Sequence, residues 1–284
     1  MCGGYENCKN FGLFMSRDEF IQEVNMNSEK DAFWLLSDCF TSGKSIDCLP
    51  KQFRPNSYEQ AYAIQSKQDE CSTSRIGWKI AATSKAGQAH IGVNEPLIGR
   101  LNSKMLVKQG RPVSLWSNRM KVAEAEFVFK FEKNVSPRKN PYEHDEVFDL
   151  ISGLFLGLEF PNSRFKDFAT VGFLSLVADN ACAHQFMLGP LVPEIWRDMS
   201  LSSHSVKGIV SDSKIYYGTG ANVLGDPKKA LLWFVNEASK YNITIKAGEI
   251  VTTGTCTIPM PIAPKDKLVV DFGKLGGMGC DIIA

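Results

Sequence analysis

Residues 121–131 read Lys-Val-Ala-Glu-Ala-Glu-Phe-Val-Phe-Lys-Phe, and their alternation predicts a β-strand. Successive side chains of a strand point to opposite faces, so Ala123, Ala125, Phe127, Phe129 and Phe131 share one apolar face. Val122, Glu124, Glu126, Val128 and Lys130 share the other. Carboxylates two residues apart on one face lie roughly 6–7 Å apart, close enough to repel when both are ionised and dry. A divalent cation between them, or one retained proton, relieves the repulsion. A solvated face, with Lys121 and Lys130 as screening neighbours, is the plainer alternative.

Two further anomalies lie elsewhere. Leu154 to Phe160 reads as a nearly continuous apolar strand carrying one acid, Glu159. A carboxylate in such a run is costly to bury unless it is paired or metal-bound. Pairing with Arg164 at the strand end is one solution; joining Glu124 and Glu126 around a hard cation that keeps some waters is the other. Ile76 to Ala82 is likewise an apolar strand interrupted by Lys79, either a snorkelling end residue or a desolvated amine.

The four histidines (90, 144, 184, 204) are not paired at ligand spacing and the eight cysteines form no Cys-x-x-Cys. Any bound metal must therefore take oxygen ligands, which points to magnesium, manganese or calcium. The scattered cysteines read as reduced thiols of a cytoplasmic protein rather than a disulfide framework. A net charge of +1, with 44% hydrophobic and 22% charged residues, describes an ordinary globular protein and offers no attraction for nucleic acid or an anionic membrane. Neither a signal peptide nor a transmembrane run is expected.

Along the chain, residues 1–14 read as a frayed extension, with Met15 a plausible alternative start. A helical portion is expected over 15–74, with Phe20, Val24, Ala32, Phe33, Leu36 and Phe40 marking a helix over 16–42. Ser57 and Gln60 form a capping-box signature for a second helix, 58–70. A β-rich domain is expected over 75–284. Its strands are predicted at 76–82, 111–116, 120–131, 154–160, 187–192, 206–217, 243–245, 249–253, 268–272 and 280–284. Helices are predicted at 84–91, 143–152 and within 173–185, with 92–99 a loop; Asp226 and Pro227 start another helix running to about Tyr241. The fold class is α+β.

Eight segments in order carry a more specific signal: AYAIQ (61–65), GWKIAATS (77–84), IGVNEPLIGRL (91–101), VAEAEFVF (122–129), GLEFPNSRF (157–165), VADNA (177–181), GTGANVLGDP (218–227) and AGEIVTTGT (247–255). Over roughly 57–284 the chain resembles the 2-oxopent-4-enoate hydratase and 4-oxalocrotonate decarboxylase group of the fumarylacetoacetate hydrolase superfamily. The resemblance implies a mixed β-roll with a small helical N-terminal part and a homo-oligomeric assembly. It places magnesium or manganese on Glu124, Glu126 and Glu159, and an active-site lysine at Lys79. Asp179, Thr253 and Gly254 fall where that group lines its substrate pocket, although helix capping and a strand-end turn explain them equally.

The implied reaction is metal-assisted lyase chemistry on a small unsaturated 2-oxo acid: water addition, as on 2-hydroxypenta-2,4-dienoate, or loss of carbon dioxide from a 4-oxalocrotonate-type diacid. Hydratases of the group commonly carry Asp where this chain has Leu97, and some carry Ser where it has Cys182. Leucine cannot move a proton, which weakens hydration relative to decarboxylation. A degenerate member, keeping its metal only as a structural staple, is the third alternative.

Overall fold

The computed structural model describes residues 17–71 and 74–284, with side chains from residue 28 onward. The frayed extension expected over 1–14, the start at Met15 and the side chains of Phe20 and Val24 lie outside them. Helices α1 (Arg17–Ser42) and α2 (Tyr58–Ser66) come first. The Ser57 hydroxyl accepts from the Gln60 N–H at the start of α2, and the Gln60 side chain accepts from the Asn56 N–H. The predicted 58–70 helix tightens into a 3-10 turn over Lys67–Glu70.

The chain continues through β1 (Arg75–Ala81), α3 (Lys85–His90), β2 (Leu97–Asn102), β3 (Val113–Ser114), β4 (Val122–Phe131), α4 (His144–Phe148), β5 (Ile151–Phe160) and α5 (Phe173–Ala178). Then come β6 (Gln185–Leu191), β7 (Ser205–Val210), β8 (Lys214–Thr219), α6 (Pro227–Lys240), β9 (Ile250–Thr255), β10 (Met260–Pro261), β11 (Lys267–Asp271) and β12 (Gly277–Ile283). One sheet runs β2-β1-β9-β4-β5-β6, with β10 also on β4; the other runs β3-β12-β11-β7-β8. Among the strands of the described residues, the β1–β9 and β12–β3 pairings are parallel and the rest antiparallel. Mixed sheets with helices at the periphery confirm the expected α+β class.

The apolar face of β4 builds the core. Ala123, Ala125, Phe127, Phe129 and Phe131 are fully buried. Phe127 meets Phe272 at 5.2 Å between ring centroids, Phe129 meets Trp196 at 5.8 Å and Phe131 meets Phe234 of α6 at 6.3 Å. Each such ring contributes roughly 1.5–3 kcal/mol by leaving water. Asp226 caps α6 by accepting from the Lys228 N–H, and Pro227 occupies its first turn. Ala32, Leu36, Leu49, Ala61, Tyr62 and Ile64 join this same core, so the helical part and the sheets share one interior.

Several expectations are corrected. The predicted loop 92–99 already enters β2 at Leu97. The run 206–217 is a hairpin, turned by Ser211 and Asp212 at positive φ (51° and 59°), residues whose polar side chains tolerate that region. The segment 243–245 contributes one isolated bridge, Val135 to Ile245. The helix expected near 143–152 is one short turn, and that expected within 173–185 stops at Ala178.

Candidate active site

Register brings the three acids together. Glu124 of β4 stands directly opposite Glu159 of β5, and Glu126 lies two residues along the same face of β4. One oxygen from each of Glu124, Glu126 and Glu159 lies within 4.8 Å of the others. Glu126 and Glu159 are buried, and Glu124 keeps partial exposure. Burial and the neighbouring Glu159 push Glu124 up to about 7, against the attraction of Lys79. Burial, Glu159 and Glu124 hold Glu126 well above the usual carboxylate range. Three acids this close are short of positive charge.

Lys79 reaches them from β1. It is buried at 3% exposure, and its Nζ lies 2.8 Å from Glu159 Oε1. Burial alone would lower its pKa, but the charges of Glu159 and Glu124 outweigh it and keep the ammonium protonated. Nζ also donates to the Ala181 carbonyl at 3.0 Å. The 2.8 Å contact with Glu159 is a charge-assisted pairing of Nζ with Oε1, and it leaves Oε2 of Glu159 without a donor. Arg164, the alternative partner considered for Glu159, pairs instead with Asp179.

Glu126 is held from one side. Its Oε2 accepts from the Thr252 hydroxyl and from the Gly254 N–H at 2.8 Å, while Oε1 has no partner. Unpaired buried carboxylate oxygens facing one another are the arrangement a divalent cation completes, and an all-oxygen set suits magnesium or manganese. Gly254 sits at φ +102°, and a Cβ there would come within 2.0 Å of Thr83 Oγ1, so only glycine serves. Thr253 points the other way: its hydroxyl donates to the Phe127 carbonyl at 3.0 Å. Thr252 is therefore the threonine that reaches the acidic cluster. Sequence reading passed over it, because which face of β9 meets Glu126 is set by the β4–β9 pairing.

Asp179 stands behind the site. Its carboxylate receives Arg164 Nε, the Arg164 N–H and, at 2.6 Å, the Ser163 hydroxyl. Cys182 is half-buried, and burial, with Asp179, raises its thiol to about 12, far from a reactive thiolate. Leu97, 1% exposed, pairs with Ala81 across β1–β2 while Gly99 pairs with Lys79. Cross-strand partners share a face, so Leu97 lies on the Lys79 side of the sheet, where an acid would have to stand to move a proton.

A pH signature follows from the raised carboxylates. Their native pKa values exceed the ordinary carboxylate value of 4.5, so the metal-free native state holds more protons than the unfolded chain. That contribution is present at low pH and is lost as pH rises toward 7. Calorimetry of metal-stripped protein should show the melting temperature falling between about pH 5 and 8. Magnesium should flatten the fall, because cation binding displaces those protons and strengthens with pH.

The chain is similar to known proteins over most of its length. The chain is 29% identical over 255 residues to the 2-keto-4-pentenoate hydratase of Paraburkholderia xenovorans (strain LB400), covering 88% of this chain and 93% of that one. It is 27% identical over 233 residues to the 4-oxalocrotonate decarboxylase of Pseudomonas sp. (strain CF600), covering 82% and 86%. Its fold matches 4-oxalocrotonate decarboxylase from Pseudomonas putida G7, complexed with magnesium and adipate, at a TM-score of 0.81 and 23% identity over 96% of this chain and 100% of that one. The fumarylacetoacetate hydrolase C-terminal family model matches residues 79–283, from the buried lysine to the last strand, and the chain belongs to that family.

Proposed function

We propose that this protein is a divalent-metal-dependent lyase acting on a small unsaturated 2-oxo or 2-hydroxydienoic acid, with hydration of 2-hydroxypenta-2,4-dienoate the leading reaction. The observation that carries this reading is the crowding of three carboxylates around unpaired oxygens beside one buried ammonium. Glu124, Glu126 and Glu159 would hold magnesium or manganese. When bound there, the cation supplies Lewis acidity toward the carboxylate and 2-oxo oxygens of the substrate. Thr252 and Gly254 fix Glu126 so that its free oxygen faces the other acids. Lys79 stays charged and stabilises negative charge developing on the substrate, with proton delivery as its second capacity. Asp179, its oxygens taken by Ser163 and Arg164, supports the site from behind rather than offering the substrate a free oxygen.

Leu97 favours a second reading, decarboxylation of a 4-oxalocrotonate-type diacid. Carbon dioxide loss needs no group to activate water, and a buried leucine excludes water from that side. Product analysis separates the two: mass gain of water from 2-hydroxypenta-2,4-dienoate, or carbon dioxide from 4-oxalocrotonate. If decarboxylation dominates, Leu97→Asp should raise hydration at the expense of decarboxylation. No turnover of either substrate in the presence of magnesium or manganese would overturn both readings and leave a structural metal.

Assembly and compartment belong to the same proposal. The outer face of the second sheet aligns Val269, Ile209 and Ile215 across three strands, beside exposed Tyr217, a surface suited to a second copy of the chain. Cys39, Cys48, Cys71, Cys182, Cys256 and Cys280 are free thiols, consistent with a reducing cytoplasm. Among the described residues no helix is long and apolar enough to cross a membrane.

A further inference from the structure

We propose that Asn180 is a positioning residue: by clamping a left-handed turn to the free edge of β2, it holds the Ala181 carbonyl where that oxygen fixes the Lys79 ammonium beside Glu159. The proposal rests on the role proposed above for Lys79.

The backbone between α5 and β6 is unusual. Asn180, Ala181 and Cys182 have φ of 58°, 50° and 61°, three successive non-glycine residues in the left-handed region. Side chains disfavour that region, and such a run persists only where its surroundings over-determine it. Here the surroundings are hydrogen bonds. Asn180 Oδ1 accepts from the Arg100 N–H at 2.6 Å and Nδ2 donates to the Arg100 carbonyl at 2.8 Å, so one side-chain amide takes the place of a neighbouring strand. Arg100 lies on β2, the edge of its sheet, and this pairing covers that edge. On its far side the turn faces a groove of about 690 Å³ lined by Ala178, Asp179, Asn180 and Arg164.

Every carbonyl of the turn has a defined partner. The Asn180 carbonyl accepts from the Ala183 N–H at 2.9 Å, and that of Cys182 from the Asn162 N–H at 2.9 Å. The Ala181 carbonyl alone is directed to Lys79 Nζ. Gly99 makes the approach possible, since a Cβ there would lie 2.6 Å from the Asn180 carbonyl and 2.9 Å from the Lys79 stem. Lys79 has four freely rotating carbons, and Glu159 alone would leave its amine free to swing. With a second contact at Ala181, the ammonium has one place to sit and its remaining N–H one direction to point.

The test uses Asn180→Ala, alone and with Ala181→Gly, in the full chain. Glycine enters the left-handed region without strain, so the second change restores the turn without restoring the amide. The first readout needs no activity: pulse acylation of metal-stripped protein with acetic anhydride, scored by peptide mass at Lys79 against surface Lys166. Asn180→Ala should raise Lys79 labelling at least about tenfold by letting the turn open, and the double variant should return it toward wild type. The second readout is kinetic. Asn180→Ala should lower kcat about 10²-fold, leaving KM and the magnesium requirement within about twofold.

Ala181→Val, which keeps the Asn180 amide but opposes the backbone, should reproduce both effects and serves if Asn180→Ala does not fold. Unchanged Lys79 labelling in a folded variant would overturn the proposal, as would raised labelling with unchanged kcat. If the wild type turns over neither substrate, labelling still decides whether Asn180 positions Lys79, and only the functional reading falls.

Discussion

Lys79→Met is expected to lower turnover by about 10²–10⁴-fold, the range for loss of a positioned charged or proton-transferring group. It should also destabilise the metal-free protein by about 3–5 kcal/mol, because it strands a buried carboxylate. Among the described residues no other cation forms an ion pair with the acidic cluster, and the Lys79–Glu159 contact is closed at 2.8 Å with both side chains nearly inaccessible. Methionine keeps most of the stem's packing, so the loss reports charge rather than volume. Magnesium should recover much of the lost stability but none of the lost turnover, since the cation replaces the charge and not the ammonium's place. Denaturant titration with and without magnesium, beside steady-state kinetics, checks both halves. Equal stability of the metal-free variant and wild type would contradict the ion-pair argument.

Glu126→Gln is expected to act in the opposite sense on the metal-free protein. Glu126 already sits far above the ordinary carboxylate range, so glutamine resembles its protonated form and removes one member of a repelling trio. Stability without metal should therefore be unchanged or higher. The gain on adding magnesium, about 2.7 kcal/mol or roughly 5–10 °C for the wild type at a hundredfold excess over Kd, should disappear. Turnover should disappear with it. Retention of Thr252 and Gly254 as donors to the remaining amide oxygen keeps the local fold intact. A variant that magnesium still stabilises as strongly as wild type would place the cation elsewhere.

The sequence revealed the strand and its two faces because period-two alternation is a local signal. Glu159 and Lys79 stood out for a related reason: each is one charge inside an apolar run, and such a charge needs a partner. What alternation cannot supply is register. That Glu124 opposes Glu159, rather than a residue one step along, follows from the β4–β5 pairing and from nothing within either strand. The choice between Thr252 and Thr253 likewise turned on which face each occupies beside an irregularity in the β4–β9 ladder. The left-handed turn at 180–182 was invisible because none of its residues is glycine, the usual marker of positive φ. Its conformation is imposed by Arg164, Asn162 and Arg100, each distant in the chain.

The most direct measurement is turnover of 2-hydroxypenta-2,4-dienoate and 4-oxalocrotonate by metal-stripped protein before and after addition of magnesium or manganese, with Glu126→Gln alongside. Activity absent without metal, restored by the cation in wild type and not in the variant, is the predicted result. Turnover that persists in stripped protein, or that survives Glu126→Gln, would contradict a metal-dependent lyase built on Glu124, Glu126 and Glu159.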